Sequence, residues 1–174
     1  AKTSVRTLVT EGDRVSGKLI EENQTAAHGL AWLATYQQSL QQMQNWATRL
    51  EDQGKFGEVE QLIHQIAFGE YLWQIYGGIP MSQGEIVRPS DLGFADGLPG
   101  FDDGDVEHLR AHANTAQRRA SMAQLMLAQG QIEADAGLDE THTMIRDQFR
   151  RFADEKVIPH AHGWHLRDEL IPLP

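Results

Sequence analysis

The sequence predicts an all-α protein built as a helical bundle. Apolar residues recur at steps of three and four through most of the 174 residues, which is the period of an amphipathic helix. No stretch alternates apolar and polar residues with the β-branched enrichment typical of strands. Glycines and prolines lie where the periodic runs stop. The length suits one domain or slightly more, with a core that needs no covalent staples.

The first predicted helix runs from Val15 to Leu50, and Gly54 and Gly57 mark its end. If continuous, it is about 50 Å long at about 1.5 Å per residue. Glutamines occupy the face opposite the apolar stripe. That stripe consists of Leu19, Ala26, Leu30, Leu33, Tyr36, Leu40, Met43, Ala47 and Leu50.

The second predicted helix covers about Phe56 to Tyr76 and stops at the stretch QIYGGIP, residues 74–80. Two adjacent glycines followed by Pro80 are typical of a helix C-terminus. A long irregular segment, rich in Gly, Pro, Ser and Asp, then extends to about Asp103. Loops of this length in compact domains usually carry a function or pack over other elements.

The third predicted helix begins near Asp103 or Asp105, either of which suits an N-cap, and continues unbroken to Leu127. Alanines on one seam of this helix predict close approach to a neighbouring helix. The seam consists of Val106, Leu109, Ala113, Ala116, Ala120, Ala123 and Leu127.

The fourth predicted helix begins at Asp139 or Thr141, and Pro159 kinks or ends it. Its apolar face consists of Ile145, Phe149, Phe152 and Val157. The four tryptophans, Trp32, Trp46, Trp73 and Trp164, are predicted to anchor the core or an interface.

Composition excludes several classes of function. The sequence has no cysteine, which excludes disulfides, thiolate metal sites and thiol catalysis. A formal net charge of −10 argues against nucleic acid or anionic membranes as partners, since both require basic patches. No apolar run approaches the ~18 residues of a membrane span. We therefore expect a cytoplasmic protein without nucleic-acid or membrane partners.

Two clusters suggest metal ligands, and each has a simpler structural interpretation. His160, His162 and His165 place three imidazoles within six residues, although only the last two share a helix face. A polar helix end around Trp164 explains them better. Carboxylates in the loop before the third helix depart from the calcium-loop spacing, so a turn with an N-cap is favoured. They are Asp96, Asp102, Asp103 and Asp105, and the remaining histidines, at 28, 64, 108, 112 and 142, are scattered on helices.

Residues Met144–Pro174 resemble the opening helices of the flavin-dependent acyl-CoA dehydrogenase family. The family's amphipathic Arg-Asp…Phe-Ala-acid-acid run falls on Arg146-Asp147 and 152–155. Its V-x-P-x-A turn falls on 157–161, followed by Trp164 and Ile171-Pro172. His165 stands where the family more often has Asp.

The stretch QIYGGIP resembles a Q-x-x-G-G-x-G loop in the family's C-terminal helical domain. Gln74, Gly77 and Gly78 match, whereas Pro80 replaces the third glycine and the following Tyr-Arg-Asp signature is missing. Residues 28–36 and 77–93 are similar to a subgroup with a helical domain before the usual N-terminus. We therefore predict a helical extension at 1–138 and the start of the dehydrogenase N-terminal helical domain at 139–174.

The resemblance implies a parent enzyme that uses FAD, a glutamate base and an electron-transfer flavoprotein as acceptor. The extension would have a structural role at an interface, with the rest of the polypeptide and a homodimer partner as its contacts. The glutamate, the flavin domain and most of the acyl pocket would lie beyond Pro174, and the apolar ending DELIPLP suggests a longer chain. No catalytic, cofactor-binding or metal residue is therefore assigned, and these residues alone are expected to be inactive and without FAD.

Two alternatives remain open. The first is a free-standing helical interaction module without enzymatic lineage. The second is a metal-binding bundle that uses His162 and His165.

Overall fold

The computed structural model describes residues 1–130 and 134–172 and divides the chain into two compact units. Unit 1 comprises Ala1–Ala134 and unit 2 comprises Asp135–Pro174. The predicted division at 138/139 between an extension and a dehydrogenase segment concerns ancestry, which compactness does not test, and it stays a prediction.

Unit 1 is mainly helical, and the all-α fold class is confirmed. Two short antiparallel hairpins, absent from the sequence prediction, interrupt the helices. A 3₁₀ turn over Pro89–Leu92 follows the second hairpin. In chain order the elements are α1 (Lys2–Val9), β1 (Thr10–Glu11), β2 (Arg14–Val15), α2 (Gly17–Glu22), α3 (Gln24–Asp52), α4 (Glu58–Gly77), β3 (Ile79–Ser82), β4 (Glu85–Val87), α5 (Gly104–His112) and α6 (Ala116–Gln129).

The predicted helix from Val15 to Leu50 is shorter at its N-terminal end than the sequence suggested. Val15 belongs to the first hairpin, and α2 and α3 are separated at Asn23. The Asn23 side-chain amide donates to the Leu19 carbonyl at 2.9 Å, and its backbone leaves the helical region at φ −124° and ψ 35°. Asparagine favours such local side-chain bonds, which compete with helix continuation.

The third predicted helix is two helices, because the chain breaks between His112 and Ala116. The Thr115 hydroxyl accepts from the Arg118 backbone N–H at 3.2 Å, which caps a new helix. The break changes the helical phase. The predicted alanine seam is consequently wrong: three of its alanines, Ala116, Ala120 and Ala123, are exposed.

The close approach that the alanines were expected to provide occurs at a glycine of α4. A Cβ on Gly69 would lie 2.6 Å from the backbone nitrogen of Asn114. The α5–α6 connection therefore rests directly on the α4 backbone, and only glycine fits there without a shift.

The core of unit 1 lies between α1, α3 and the second hairpin. In that hairpin Ile79 pairs with Val87, and both are almost fully buried, at 2% and 1% exposure. Along β3, Pro80 lies between buried Ile79 and buried Met81 and is exposed, which follows the two-residue period of a strand. The buried apolar cluster comprises Val5, Val9, Ala26, Tyr36, Ile79, Met81, Val87 and Leu92.

Two runs of aromatic rings join α3 to α4. In one, Trp32, Tyr36 and Tyr71 make edge-on contacts, with ring centroids 6.1 Å and then 4.5 Å apart. In the other, His64 stacks on Phe68 at 4.4 Å, and its Nε2 lies 3.2 Å from the Gln44 side-chain oxygen. The first run uses edge-on contacts and the second includes a stacked contact, and aromatic rings prefer both geometries.

Unit 2 contains one long helical path with an internal irregularity. It begins with α7 (Glu140–Phe152), passes through a π-helical turn at Ala153–Val157 and continues as α8 (Ile158–Leu166). Asp139, one of the two predicted starts of this helix, caps α7 by accepting from the His142 N–H at 2.8 Å. Pro159 does not end the helical path, because it lies at the start of α8, after the π turn.

The burial of His64 predicts an acid-sensitive contact between α3 and α4. Burial lowers the pKa of His64 from its ordinary value of 6.5, and nearby Glu51 opposes this only in part. The fold thus favours neutral imidazole, so its contribution to stability is present above pH 6.5 and is lost as pH falls through the lower folded value.

We expect His64→Gln, which cannot be protonated, to flatten this loss. Urea unfolding of wild type and variant between pH 8 and pH 5 measures it, and the difference between the two curves isolates His64 from the other histidines. Parallel curves would contradict the assignment.

Candidate functional site

The glycine pair that ends α4 is built into the structure of unit 1. Gly77 is the last helical residue, and Gly78 follows with φ at +129°, a backbone conformation that favours glycine. The Gly78 N–H donates to the Gln74 carbonyl at 2.8 Å. The Arg88 guanidinium donates to the Gly77 carbonyl, which places a cation at the negative end of the helix.

The hairpin packs tightly against this turn. A Cβ on Gly78 would lie 2.6 Å from Ile86 Cγ2 and 2.8 Å from an Arg88 nitrogen, whereas a Cβ on Gly77 would meet nothing within 4 Å. The two adjacent glycines therefore serve different purposes. Gly78 is required by the backbone and the hairpin, while Gly77 is not.

The Gln74 side chain, the first matching position of the resemblance, forms hydrogen bonds through both its oxygen and its nitrogen. Its oxygen accepts from the Tyr36 hydroxyl, and its nitrogen donates to Glu70 Oε1 at 2.6 Å. Burial is the main cause that raises the pKa of Tyr36, with Tyr71 and Glu70 adding to it. The phenol consequently keeps its proton and acts as the donor to Gln74.

The same polar chain continues to α6. Glu70 Oε2 accepts from the Asn114 amide at 2.7 Å, and Asn114 Oδ1 accepts from Arg119 at 2.6 Å. Five side chains from α3, α4, the α5–α6 connection and α6 thus form one hydrogen-bonded line. Such connected networks fix the positions of helices, because each member satisfies the next.

An apolar groove between α4 and α6 lies beside this polar line. Its volume is about 460 Å³, and Glu70, Asn114 and Arg119 form its polar part. The sequence pattern places Ile63, Ile66 and Ala67 on one apolar stripe of α4, which also includes Val59, Leu62, Leu72 and Ile75. The width of that stripe was the available sequence signal for the groove. A stripe wider than the contact with one neighbouring helix leaves some apolar side chains uncovered. The apolar lining residues are Ile63, Ile66, Ala67, Tyr71 and Met122.

A second cleft contains two of the predicted calcium candidates. Asp96 and Asp102 lie in its wall with Arg110, whose guanidinium carbon is 4.7 Å from the Trp73 ring centre and 4.3 Å from that of Tyr76. These distances are typical of cation–π contacts, which the sequence pattern did not reveal. Trp73 is therefore not a core residue, since 46% of it is exposed beneath Arg110.

Asp103, a third carboxylate of the same loop, caps α5. Its carboxylate accepts from the backbone N–H groups of Asp105 at 3.0 Å and Val106 at 3.3 Å. The capping prediction is confirmed. Within residues 1–130 and 134–172, no group of three or more His, Asp or Glu side chains is arranged to hold a metal ion.

The HAHGWH histidines lie on α8 and are exposed. The His160 ring is 5.5 Å from the Trp164 ring, centre to centre. His162 and His165 share no hydrogen bond with each other among the described residues.

None of the helices in residues 1–130 and 134–172 has the length and apolar character of a membrane span.

These features define a class. Unit 1 is an all-α domain with two short hairpins, and the polar side chains near its glycine turn connect its own helices.

The sequence matches no family model. It is 56% identical over 175 aligned positions, covering 99% of the chain, to (2S)-methylsuccinyl-CoA dehydrogenase of Cereibacter sphaeroides. This identity confirms the relationship to the acyl-CoA dehydrogenases that the sequence predicted. The chain spans 31% of the length of that relative.

The two glycines provide a matched pair of substitutions. We expect Gly78→Ala to lower the free energy of unfolding by about 1–3 kcal/mol, because of its strained φ and its contact with Ile86. Gly77→Ala should be neutral or stabilising by up to about 1 kcal/mol, as alanine is the better helix residue. Urea unfolding of both variants measures the difference, and equal effects would refute the structural interpretation of the turn.

Proposed function

We propose that this chain is the N-terminal part of an FAD-dependent acyl-CoA dehydrogenase that oxidises (2S)-methylsuccinyl-CoA to mesaconyl-CoA in the ethylmalonyl-CoA pathway. The observation that carries the proposal is the 56% identity that extends over 99% of the chain. A shared fold alone would be a weaker argument, since helical bundles serve many unrelated functions.

In this proposal the reaction takes place on the part of the enzyme outside residues 1–174. That part would supply the glutamate base and the site for FAD, and the flavin would supply the hydride-accepting chemistry when bound. An electron-transfer flavoprotein would be the acceptor, and the enzyme would work in the cytoplasm as a homodimer.

Unit 1 acts as a structural extension that covers a surface of the dehydrogenase body. The groove between α4 and α6 supports this role, because it is lined mainly by apolar side chains and ends in the polar groups of Glu70, Asn114 and Arg119. Apolar grooves with a polar end are typical of surfaces that receive another element. Under this hypothesis the hydrogen-bonded line from Tyr36 to Arg119 holds the two walls of the groove at a fixed separation.

Unit 2 contributes helices to the larger N-terminal domain. Several large apolar side chains of α7 and α8 are open to solvent, including Phe149 at 73%, Phe152 at 59% and Ile158 at 63%. Exposed aromatic and aliphatic residues in this number call for further elements to cover them. The rest of the enzyme's helical domain would provide that cover.

The alternative, an interaction module without enzymatic lineage, would also use the groove. The long alignment with a dehydrogenase favours the first proposal. The two differ in what is encoded after Pro174: a flavin-binding domain in one case, and none in the other.

The proposal predicts no dehydrogenation by residues 1–174 alone. Purified chain, mixed with FAD, (2S)-methylsuccinyl-CoA and an artificial electron-accepting dye, should reduce the dye no faster than buffer. The full-length enzyme at equal molarity is the positive control. Turnover by the isolated chain above the buffer rate would show that catalytic groups lie within it.

Deleting residues 1–138 from the full-length enzyme should change its oligomeric state, since the covered surface would become exposed. Sedimentation velocity measures this.

A point substitution tests the groove itself. Ile66→Glu places a charge in the groove, and Leu127→Glu is the control, because Leu127 is 84% exposed outside the groove. Unchanged sedimentation after both the deletion and Ile66→Glu would count against an interface role.

A further inference from the structure

We propose that His108 and His112, on α5, form a two-imidazole site for a divalent transition metal such as Cu²⁺ or Zn²⁺. The two residues are separated by four positions, so they lie one above the other on the same helix face. Their ring centroids are 4.9 Å apart, with an angle of 53° between the planes. Neither residue was singled out by the sequence pattern.

The ring separation is the one that a shared metal requires. A metal about 2.0–2.1 Å from an imidazole nitrogen lies roughly 3.2 Å from the ring centre. Two such rings are about 4.5 Å apart when they subtend a right angle at the metal and about 5.2 Å apart at the tetrahedral angle. The observed 4.9 Å falls between these values, so the two rings already have the spacing of a pair that shares one metal.

Both imidazoles are free to bind. His108 and His112 are exposed, and within residues 1–130 and 134–172 no side chain or backbone group forms a hydrogen bond with either ring. Other histidines of the chain use a ring nitrogen within the fold: His28 accepts from Trp32 at 2.9 Å, and His64 contacts Gln44. The pair on α5 therefore differs from those residues in both geometry and availability.

The surroundings leave room for the remaining ligands. His112 lies in the wall of an open polar cleft of about 510 Å³, together with Glu58, Gln61 and Gln65. The described residues place no third His, Asp or Glu in ligating position, so water molecules complete the coordination. Nitrogen and oxygen donors in a tetragonal arrangement suit Cu²⁺, which also binds most tightly among the divalent first-row metals.

Metal binding at this site would stabilise a short helix. α5 has nine residues and is followed directly by the break before α6. A metal shared between successive turns favours the helical form of both, so its binding stabilises the end of α5.

Titration of the metal-free 174-residue chain with CuCl₂ and with ZnCl₂, followed by calorimetry, tests the inference. We expect one tight Cu²⁺ per chain, with nitrogen splittings from two imidazoles in the electron paramagnetic resonance spectrum. His108→Gln and His112→Gln should each weaken binding about tenfold or more, since one of two protein ligands is lost. Both residues are exposed, so circular dichroism should show unchanged folding.

The double variant His162→Gln, His165→Gln is the matched control, because it removes two exposed histidines of α8 and leaves α5 intact. It should bind Cu²⁺ as wild type does, and Cu²⁺ should raise the melting temperature of wild type and control but not of His108→Gln. Equal affinity in wild type and His108→Gln, loss of binding only in the α8 variant, or no binding at 100 μM metal would each overturn the proposal.

Discussion

The packing of the second hairpin against α3 is the contact on which the rest of unit 1 depends. Val87 and Ile79 are almost completely buried, and Val87 lies over Gly29, where a Cβ would come within 2.4 Å of Val87 Cγ2. So close an approach requires glycine in the helix and a hairpin held at a fixed distance from α3. The turn at Gly78 helps to set the position of the hairpin, because it leads from the end of α4 directly into β3. The end of α4, the second hairpin and the buried core therefore depend on one another for their positions.

Helical elements could be predicted from sequence because their periodicity extends over many turns, as in α3 and α4. The hairpins could not, since strands of two to four residues are too short to show alternation. The break before α6 was hidden for a different reason: the three-and-four spacing passes through Ala113 and Ala116 by coincidence. The sequence signal of the new start is Thr115, whose hydroxyl caps α6. A threonine alone does not identify a helix start.

The residues of QIYGGIP that match the family's Q-x-x-G-G-x-G loop hold the end of α4 in place. Gln74, the first matching position, connects Tyr36 with Glu70, and the Gly77 carbonyl receives Arg88. Sequence comparison could not reveal these partners, because Tyr36 and Gln74 are 38 positions apart. The groove beside them could be predicted only in part: the broad apolar stripe of α4 was a signal, but the second wall comes from α6, which meets α4 only in the folded unit.

The π turn in unit 2 has a consequence for how this segment tolerates changes of length. Side chains rotate by about 100° per residue along an α-helix, so the face that carries Ile145, Phe149 and Phe152 would next present Lys156. One additional residue in the turn shifts the phase, and half-buried Val157 and Trp164 continue the apolar side instead. A deletion of one residue before Val157 in this turn would restore a regular α-turn and place Val157 four positions after Phe152, so the apolar side would stay continuous. The segment should therefore tolerate the loss of one residue in this turn better than a loss within α7 or α8, where the apolar face would be shifted.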